Sequence, residues 1–275
     1  MTMRPERVPI CLTIAGTDPS GGAGINADLQ VFRDLGSHGL AAITAVVWQN
    51  TQKIGGWRAM EPSELRDQLE LVIQDFDIGA LKIGMLPRAD LVEEVSAFLE
   101  RLDSDVSVVL DPVMVGGRGI EPLMDDGARA CLKQLASRVD LVTPNGPEAL
   151  RLAGVSNSAM KPETVVQTLL DRGWKRVLLK GGHLRDGDTA KVVDWYGDSG
   201  PIRALAGVEP VAADVRGTGC QLSSAIVALR AKGQSWEQAI DGARAYLYRL
   251  LIDQARVISH GRPVVVRVDV EKSEA

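Results

Sequence analysis

The sequence predicts a three-layer α/β/α sandwich whose central sheet is mainly parallel. Three observations predict it. Short β-branched runs alternate with amphipathic stretches along the whole chain, the rhythm of repeated strand–helix–strand units. The strand candidates are apolar without strict alternation, as strands covered by helices on both faces should be. Polar, glycine-containing turns follow several of these runs directly, at the carboxyl ends where open parallel sheets gather ligands.

Taken in order, strands are predicted over residues 10–14, 42–47, 80–83, 107–110, 141–143 and 176–179. Helices are predicted over 25–35, 62–75, 88–102, 125–135, 162–172, 221–231 and 235–255. The last carries a capping-box signature, Ser235 followed by Gln238. Two segments break the rhythm and read as extended flaps or edge hairpins, 51–60 with Gly55, Gly56 and Trp57, and 191–205 with Trp195 and Tyr196. No internal repeat and no Pro/Ser-rich linker interrupts the chain, so a single domain over 1–275 is expected.

Composition narrows the function. A chain of 275 residues with 45% hydrophobic and 24% charged residues has the balance of a globular enzyme. The formal net charge of −5, with acids and bases interspersed, leaves no basic stripe for a nucleic-acid backbone. The apolar stretch from Val8 to Ala15 is short and broken by Pro9, so neither a signal peptide nor a membrane span is expected, and a cytoplasmic location follows. Cys11, Cys131 and Cys220 are far apart and odd in number, without the spacing of a zinc site or a disulfide framework.

Five strand ends carry candidate chemistry. After the first strand comes Gly16-Thr17-Asp18-Pro19-Ser20-Gly21-Gly22-Ala23-Gly24, whose glycines admit a ligand close to the backbone and serve equally as a tight turn. It is neither a dinucleotide fingerprint nor a Walker loop. After the second comes Gln49, which offers a donor and an acceptor to a nitrogen heterocycle, or simply ends a strand. Asp111 after the fourth strand, and Asn145 and Glu148 after the fifth, suit a Mg²⁺ ion that needs few carboxylates; next to Pro112, Pro144 and Pro147 they are also ordinary turn formers. After the sixth, Lys180-Gly181-Gly182-His183 sets a point charge for a phosphate, with His183 as a loop or nucleotide-edge residue.

The most informative stretch is Asp214-Val215-Arg216-Gly217-Thr218-Gly219-Cys220, followed by a small apolar helix. Consecutive N–H groups of Gly217, Thr218 and Gly219 form a concave donor nest, an anion hole for a transferring phosphoryl group. Cys220 sits where a helix N-terminus should lower its pKa and fit it to accept a hydroxyl proton; the alternative is a buried structural cysteine.

In this order and at these separations, the stretches resemble the hydroxymethylpyrimidine/phosphomethylpyrimidine kinase family of thiamine biosynthesis, within the ribokinase-like superfamily. The marks are residues 14–25, Gln49-Asn50-Thr51, Lys82-Ile83-Gly84-Met85-Leu86, Leu110-Asp111-Pro112-Val113-Met114, Thr143-Pro144-Asn145 with Glu148, Lys180 to His183, and Gly217 to Cys220. The resemblance implies a ribokinase-like sandwich with a small edge-strand lid, usually a homodimer, that phosphorylates a pyrimidine alcohol and then its monophosphate with ATP and Mg²⁺. It implies that Asp28, Gln49 and Met85 line the pyrimidine pocket, closed by backbone at Gly16 and Val113. It places Asp111, Asn145 and Glu148 about Mg²⁺ and phosphate, Lys180 on nucleotide phosphate, and the anion hole at Gly217 to Gly219. Cys220 stands where sugar kinases and many pyridoxal kinases of the superfamily carry an aspartate.

Three features depart from the family pattern. Arg216 replaces the usual histidine and adds a fixed positive charge beside the anion hole, which groups it with the nucleotide-binding residues. The 115–123 loop lacks the usual serine, and the glycine-rich ending is reduced to Ser259-His260-Gly261-Arg262-Pro263 before a β-like tail over 264–270. Two rivals stand beside the pyrimidine kinase: a pyridoxal or pyridoxine kinase, and a non-catalytic regulatory protein that binds a pyrimidine phosphate. A sugar or nucleoside kinase would want an acid at position 220 and a more polar first pocket than Ala15, Met85 and Val113 provide.

Overall fold

The computed structural model describes residues 8–116, 121–155, 160–181, 191–209 and 214–267. In chain order the elements are β1 (Ile10–Gly16), α1 (Gly24–Asp34), β2 (His38–Gln49), β3 (Ile54–Ala59), α2 (Pro62–Asp75), β4 (Ala80–Ile83), α3 (Ala89–Leu99) and β5 (Ser107–Leu110). There follow β6 (Val115–Gly116), β7 (Glu121–Pro122), α4 (Asp126–Cys131), β8 (Leu141–Val142), α5 (Gly146–Leu152), α6 (Pro162–Asp171) and β9 (Val177–Leu179). The chain then forms β10 (Trp195–Gly197), β11 (Arg203–Ala204), α7 (Thr218–Ala231), α8 (Trp236–Asp253), β12 (Ala255–Arg256) and β13 (Val264–Val265).

Nine of these strands form one sheet in the order β11-β10-β9-β8-β5-β4-β1-β2-β3. The run from β9 to β2 is parallel, while β3 at one edge and β10 and β11 at the other are antiparallel. Neighbouring residues of a strand feed opposite cores. Leu12, Leu81 and Val108 pack with α2, α3 and α6, whereas Cys11, Ala80 and Val109 pack with α1, α7 and α8. That two-sided burial is why the strands read as continuous apolar runs. From β1 the chain moves outward to β2 and then returns to build β4, β5, β8 and β9 on the other side. The strand order therefore reverses at β1, and a crevice opens beyond the carboxyl ends there.

The expected strands all form, with β2 starting earlier than predicted, at His38, because Ile10 pairs with His38 and the His38 N–H reaches the Pro9 carbonyl. The 51–60 and 191–205 segments are edge strands, as expected. Helix α7 begins at Thr218 rather than residue 221, which puts Cys220 in its first turn. The helix expected over 125–135 is α-helical only to Cys131 and tightens into a 3₁₀ turn over Leu132–Leu135. Helix α5 was not expected at all: Asn145 and Glu148 close a capping box, and Pro147 sits in the first turn, where a missing N–H costs nothing. Of the expected 264–270 tail, Val264–Val265 is a strand and residues 268–270 lie outside the described residues.

Candidate active site

The loop between β1 and α1 is held by Asp18, whose Oδ1 accepts from the Ser20 N–H and hydroxyl at 2.9 and 2.7 Å. Its glycines are forced by contact. Gly24 has φ +56°, and a Cβ there would lie 2.4 Å from the Gly16 carbonyl oxygen. Gly217, which precedes α7, has φ +72°, and a Cβ there would lie 1.9 Å from the Gly22 carbonyl oxygen. The two loops therefore touch backbone to backbone. Neither α1 nor α7 has a side-chain cap, so two sets of orphan helix N–H groups open into one cleft. A Gly217→Ala protein is expected to lose stability, because its Cβ at φ +72° would meet the Gly22 carbonyl oxygen at 1.9 Å; a lowered urea midpoint checks this.

Across the cleft, Asp111 leaves β5, its N–H bonded to the Ile83 carbonyl. Lys180, just past β9, donates to Asp111 Oδ1 at 2.9 Å and lies 3.9 Å from Glu148 Oε2. A Cβ on Gly219 would stand 3.1 Å from Lys180 Nζ and 3.4 Å from Asp111 Oδ2, so the nest and the cation share one space. Burial lowers the Lys180 pKa, but the carboxylates of Asp111 and Glu148 outweigh it and hold the ammonium above its ordinary value. Burial pushes the Glu148 carboxyl up; Lys180 pulls it down and Asp111 adds to the rise, and the net shift is upward. Two carboxylates beside one lysine fit a Mg²⁺ ion that arrives on phosphate and keeps its waters, rather than an all-protein cage. Among the described residues no group of three or more metal-binding side chains occurs.

Beneath the nest is a buried ion pair. Lys82 of β4 lies 2.7 Å from both oxygens of Asp28, and both side chains are fully buried. Thr13 and Ser224 hydroxyls complete the shell of Asp28 at 2.7 and 2.8 Å. Burial lowers the Lys82 pKa, yet Asp28, the Cys220 sulfur and Asp111 together raise it above the ordinary lysine value. Asp28, expected on the pocket wall, is thus below the floor with both oxygens taken. The expectation for Cys220 is also reversed. Burial raises its pKa to about 11, and Lys82, which opposes that rise, does not cancel it. The field of the helix terminus is outweighed by desolvation.

Arg216 likewise points elsewhere than expected. It is buried, and its guanidinium donates to Gln49 Oε1 at 2.8 Å, Asp18 Oδ2 at 3.2 Å and the Asn50 carbonyl at 3.0 Å. It joins the first glycine loop to the end of β2 instead of facing the nest. Gln49 is consequently held at both ends, since its amide also reaches the Thr17 carbonyl at 3.4 Å. The 259–263 segment straps onto the same corner: Ser259 meets Thr51 at 2.6 Å, and Pro263 accepts from the Arg216 N–H.

Met85, Val47, Ala45 and Leu123 form a small apolar cluster with Ile54, Trp57 and Val113 at the carboxyl ends of β1, β2 and β4. Gly16 faces it, a Cβ there falling 2.9 Å from the Met85 sulfur. The structure thus brings together Gly16, Met85 and Val113 on one side of the cleft, and Asp111, Asn145, Glu148, Lys180, Gly217, Thr218, Gly219 and Cys220 on the other. His183 lies outside the described residues. Lys82 is the residue that motif spacing leaves without a role; a lysine inside the apolar run Ala80-Leu81-Lys82-Ile83 demands a buried acid, and that is its signal in the sequence.

Comparison with known proteins agrees with this geometry. A family model described as phosphomethylpyrimidine kinase matches residues 18–265. The chain is 40% identical over 256 residues to the hydroxymethylpyrimidine/phosphomethylpyrimidine kinase of Salmonella typhimurium, covering 92% of this chain and 94% of the relative. Among solved structures, it is similar to phosphomethylpyrimidine kinase from Clostridium difficile, with a TM-score of 0.74 and 32% identity over 87% of this chain and 98% of the other. It is also similar to pyridoxal kinase from Staphylococcus aureus in complex with AMP-PCP and pyridoxal, with a TM-score of 0.83 and 26% identity over 95% and 94% of the two chains. With the family model matched over residues 18–265 and a 40% identical relative covered over 94% of its length, the chain belongs to the phosphomethylpyrimidine kinase family.

Proposed function

We propose that this protein transfers the γ-phosphoryl group of ATP to the hydroxymethyl group of 4-amino-5-hydroxymethyl-2-methylpyrimidine and to its monophosphate, within thiamine biosynthesis. The observation that carries the reading is the single cleft in which Lys180, Asp111, the Gly217–Gly219 nest and Cys220 meet.

In this reading the ring lies against Gly16, Met85 and Val113, with its alcohol toward Cys220. Lys180 and the nest hold the terminal phosphate, so the reaction is driven by positioning and preorganised charge. Asp111, Glu148 and Asn145 would hold Mg²⁺ through water; the ion would neutralise charge developing on the phosphates. Cys220 takes the hydroxyl proton as a thiolate, whose charge the buried Lys82 ammonium offsets. A groove of about 600 Å³ between residues 203–208 and α8 suits the nucleoside. Its Arg244 donates to Asp194, which accepts from the Gly181 N–H beside Lys180, so one hydrogen-bonded chain ties the groove wall to the phosphate end.

One kinase domain, a cytoplasmic location and a homodimer complete the reading. Among the described residues no helix is long and apolar enough to cross a membrane. Val46 and Trp48, each about half exposed on β2, supply apolar surface for a second copy; a monomer mass by light scattering removes the dimer.

A second reading, pyridoxal kinase, is favoured by the higher TM-score of the pyridoxal-bound relative. Coupled ADP-release assays on the pyrimidine alcohol, its monophosphate, pyridoxal and ribose separate the two. The expected order of kcat/KM puts the pyrimidines first; a preference for pyridoxal overturns the substrate, and no ADP release with any alcohol overturns the kinase.

A further inference from the structure

Far from the cleft, the junction of α4, α5 and α6 forms a surface pocket of about 180 Å³, open to solvent on one side. Its wall carries four cations, Arg129, Lys133, Arg151 and Arg172, together with Leu152 and the buried Trp174, and it carries no acid. We propose that this cavity is a binding site for a small polyanion of the pyrophosphate class.

The first argument is charge that finds no partner. Arg129 donates to Asp126, a residue that is 92% exposed. Among the described residues Lys133, Arg151 and Arg172 make no ion pair. Arg129 Nε is closed off from solvent and has no hydrogen-bond partner, a donor left waiting inside the wall. Cations near helix C-termini are ordinarily explained by the helix dipole, and Arg129, Arg151 and Arg172 do lie at the ends of α4, α5 and α6. Three such ends contribute about half a negative charge each. Even with Asp126 added, the pocket keeps a net positive charge, met only by water at the exposed ends of Lys133, Arg151 and Arg172 until an anion displaces it.

The second argument is shape. Trp174 gives the cavity a rigid floor, and Arg172 is laid flat beside Gly154, where φ is +60° and a Cβ would stand 3.1 Å from a guanidinium nitrogen. The absence of a side chain at 154 keeps the guanidinium fork in place, and a planar fork matches phosphate oxygens two at a time.

The third argument gives the site a consequence. Helix α5 is seven residues long; Glu148 is in its first turn, at the catalytic cleft, and Arg151 is in its last, at the cavity. Trp174 lies just upstream of β9, whose end delivers Lys180. An anion drawn against Arg151 and Trp174 therefore touches the two elements that carry Glu148 and lead to Lys180.

The test is calorimetric titration of sodium pyrophosphate into the full chain saturated with AMP-PCP, so that the catalytic cleft is already filled. One further site is expected, weakened at least tenfold in Lys133→Gln/Arg172→Gln and at least threefold in Lys133→Gln, a change at an exposed side chain that leaves the fold intact. Both variants are expected to release ADP at the wild-type rate when pyrophosphate is absent. Absence of binding to the AMP-PCP-saturated wild type overturns the proposal, and so does binding that both variants retain unchanged. Neither result depends on which alcohol is phosphorylated.

Discussion

Replacing Lys82 with methionine is expected to cost about 3–5 kcal/mol of folding stability, because it leaves the Asp28 carboxylate buried without its counter-charge. Asp28 keeps only the two hydroxyls of Thr13 and Ser224, which do not replace an ammonium 2.7 Å from both oxygens. Urea denaturation of the single variant should show a midpoint shift with an unchanged slope. The Asp28→Leu/Lys82→Met protein should regain a large part of the loss, since an apolar pair of similar volume is tolerated where half an ion pair is not. A wild-type midpoint for the single variant would show that the pair contributes nothing. Lys82 lowers and Asp28 raises the Cys220 thiol, so the double variant removes both and should lose less rate than the single Lys82→Met protein.

The second large effect concerns Cys220 itself. Removal of a general base costs typically 10²–10⁴-fold, and Cys220→Ala is expected to fall in that range in kcat with KM for MgATP little altered. The pH profile is the sharper measurement. With a thiol pKa of about 11, only a small fraction is thiolate at neutral pH. If the thiolate accepts the proton, the wild-type rate should climb about tenfold per pH unit through pH 7 to 9, while the alanine variant stays flat. A wild-type rate independent of pH over that range, or an alanine variant within threefold of wild type, would remove the thiol from the chemistry.

What was legible in the sequence follows the physics of parallel sheets. Strands buried on both faces announce themselves, and the rule that ligands gather beyond their carboxyl ends brought Asp111 and Lys180 together although they are far apart in sequence, while Cys220 was legible from the glycine nest that opens its helix. Helix α5 was hidden because Pro144, Gly146 and Pro147 read as turn formers, while the Asn145–Glu148 box that starts the helix was credited only with chemistry. The partners of buried charges were hidden for a different reason. Which acid neutralises Lys82, and whether Arg216 turns toward the nest or toward Asp18 and Gln49, depends on how α1, β2 and the 259–263 strap pack, which no local pattern encodes. The Cys220 pKa went the wrong way because position in a helix is local while desolvation is set by the whole surrounding shell.

The contact between Gly22 and Gly217 leaves no room for independent adjustment of the 16–24 loop and the 214–219 loop, which the proposed function assigns to the acceptor and to phosphate. Drift in either backbone would disturb both substrates at once. On the proposed function, new acceptor alcohols would be reached by exchanging side chains such as Met85 and Val113 over an unaltered glycine seam, and a lineage that changes its vitamin precursor would leave its grip on nucleotide almost untouched.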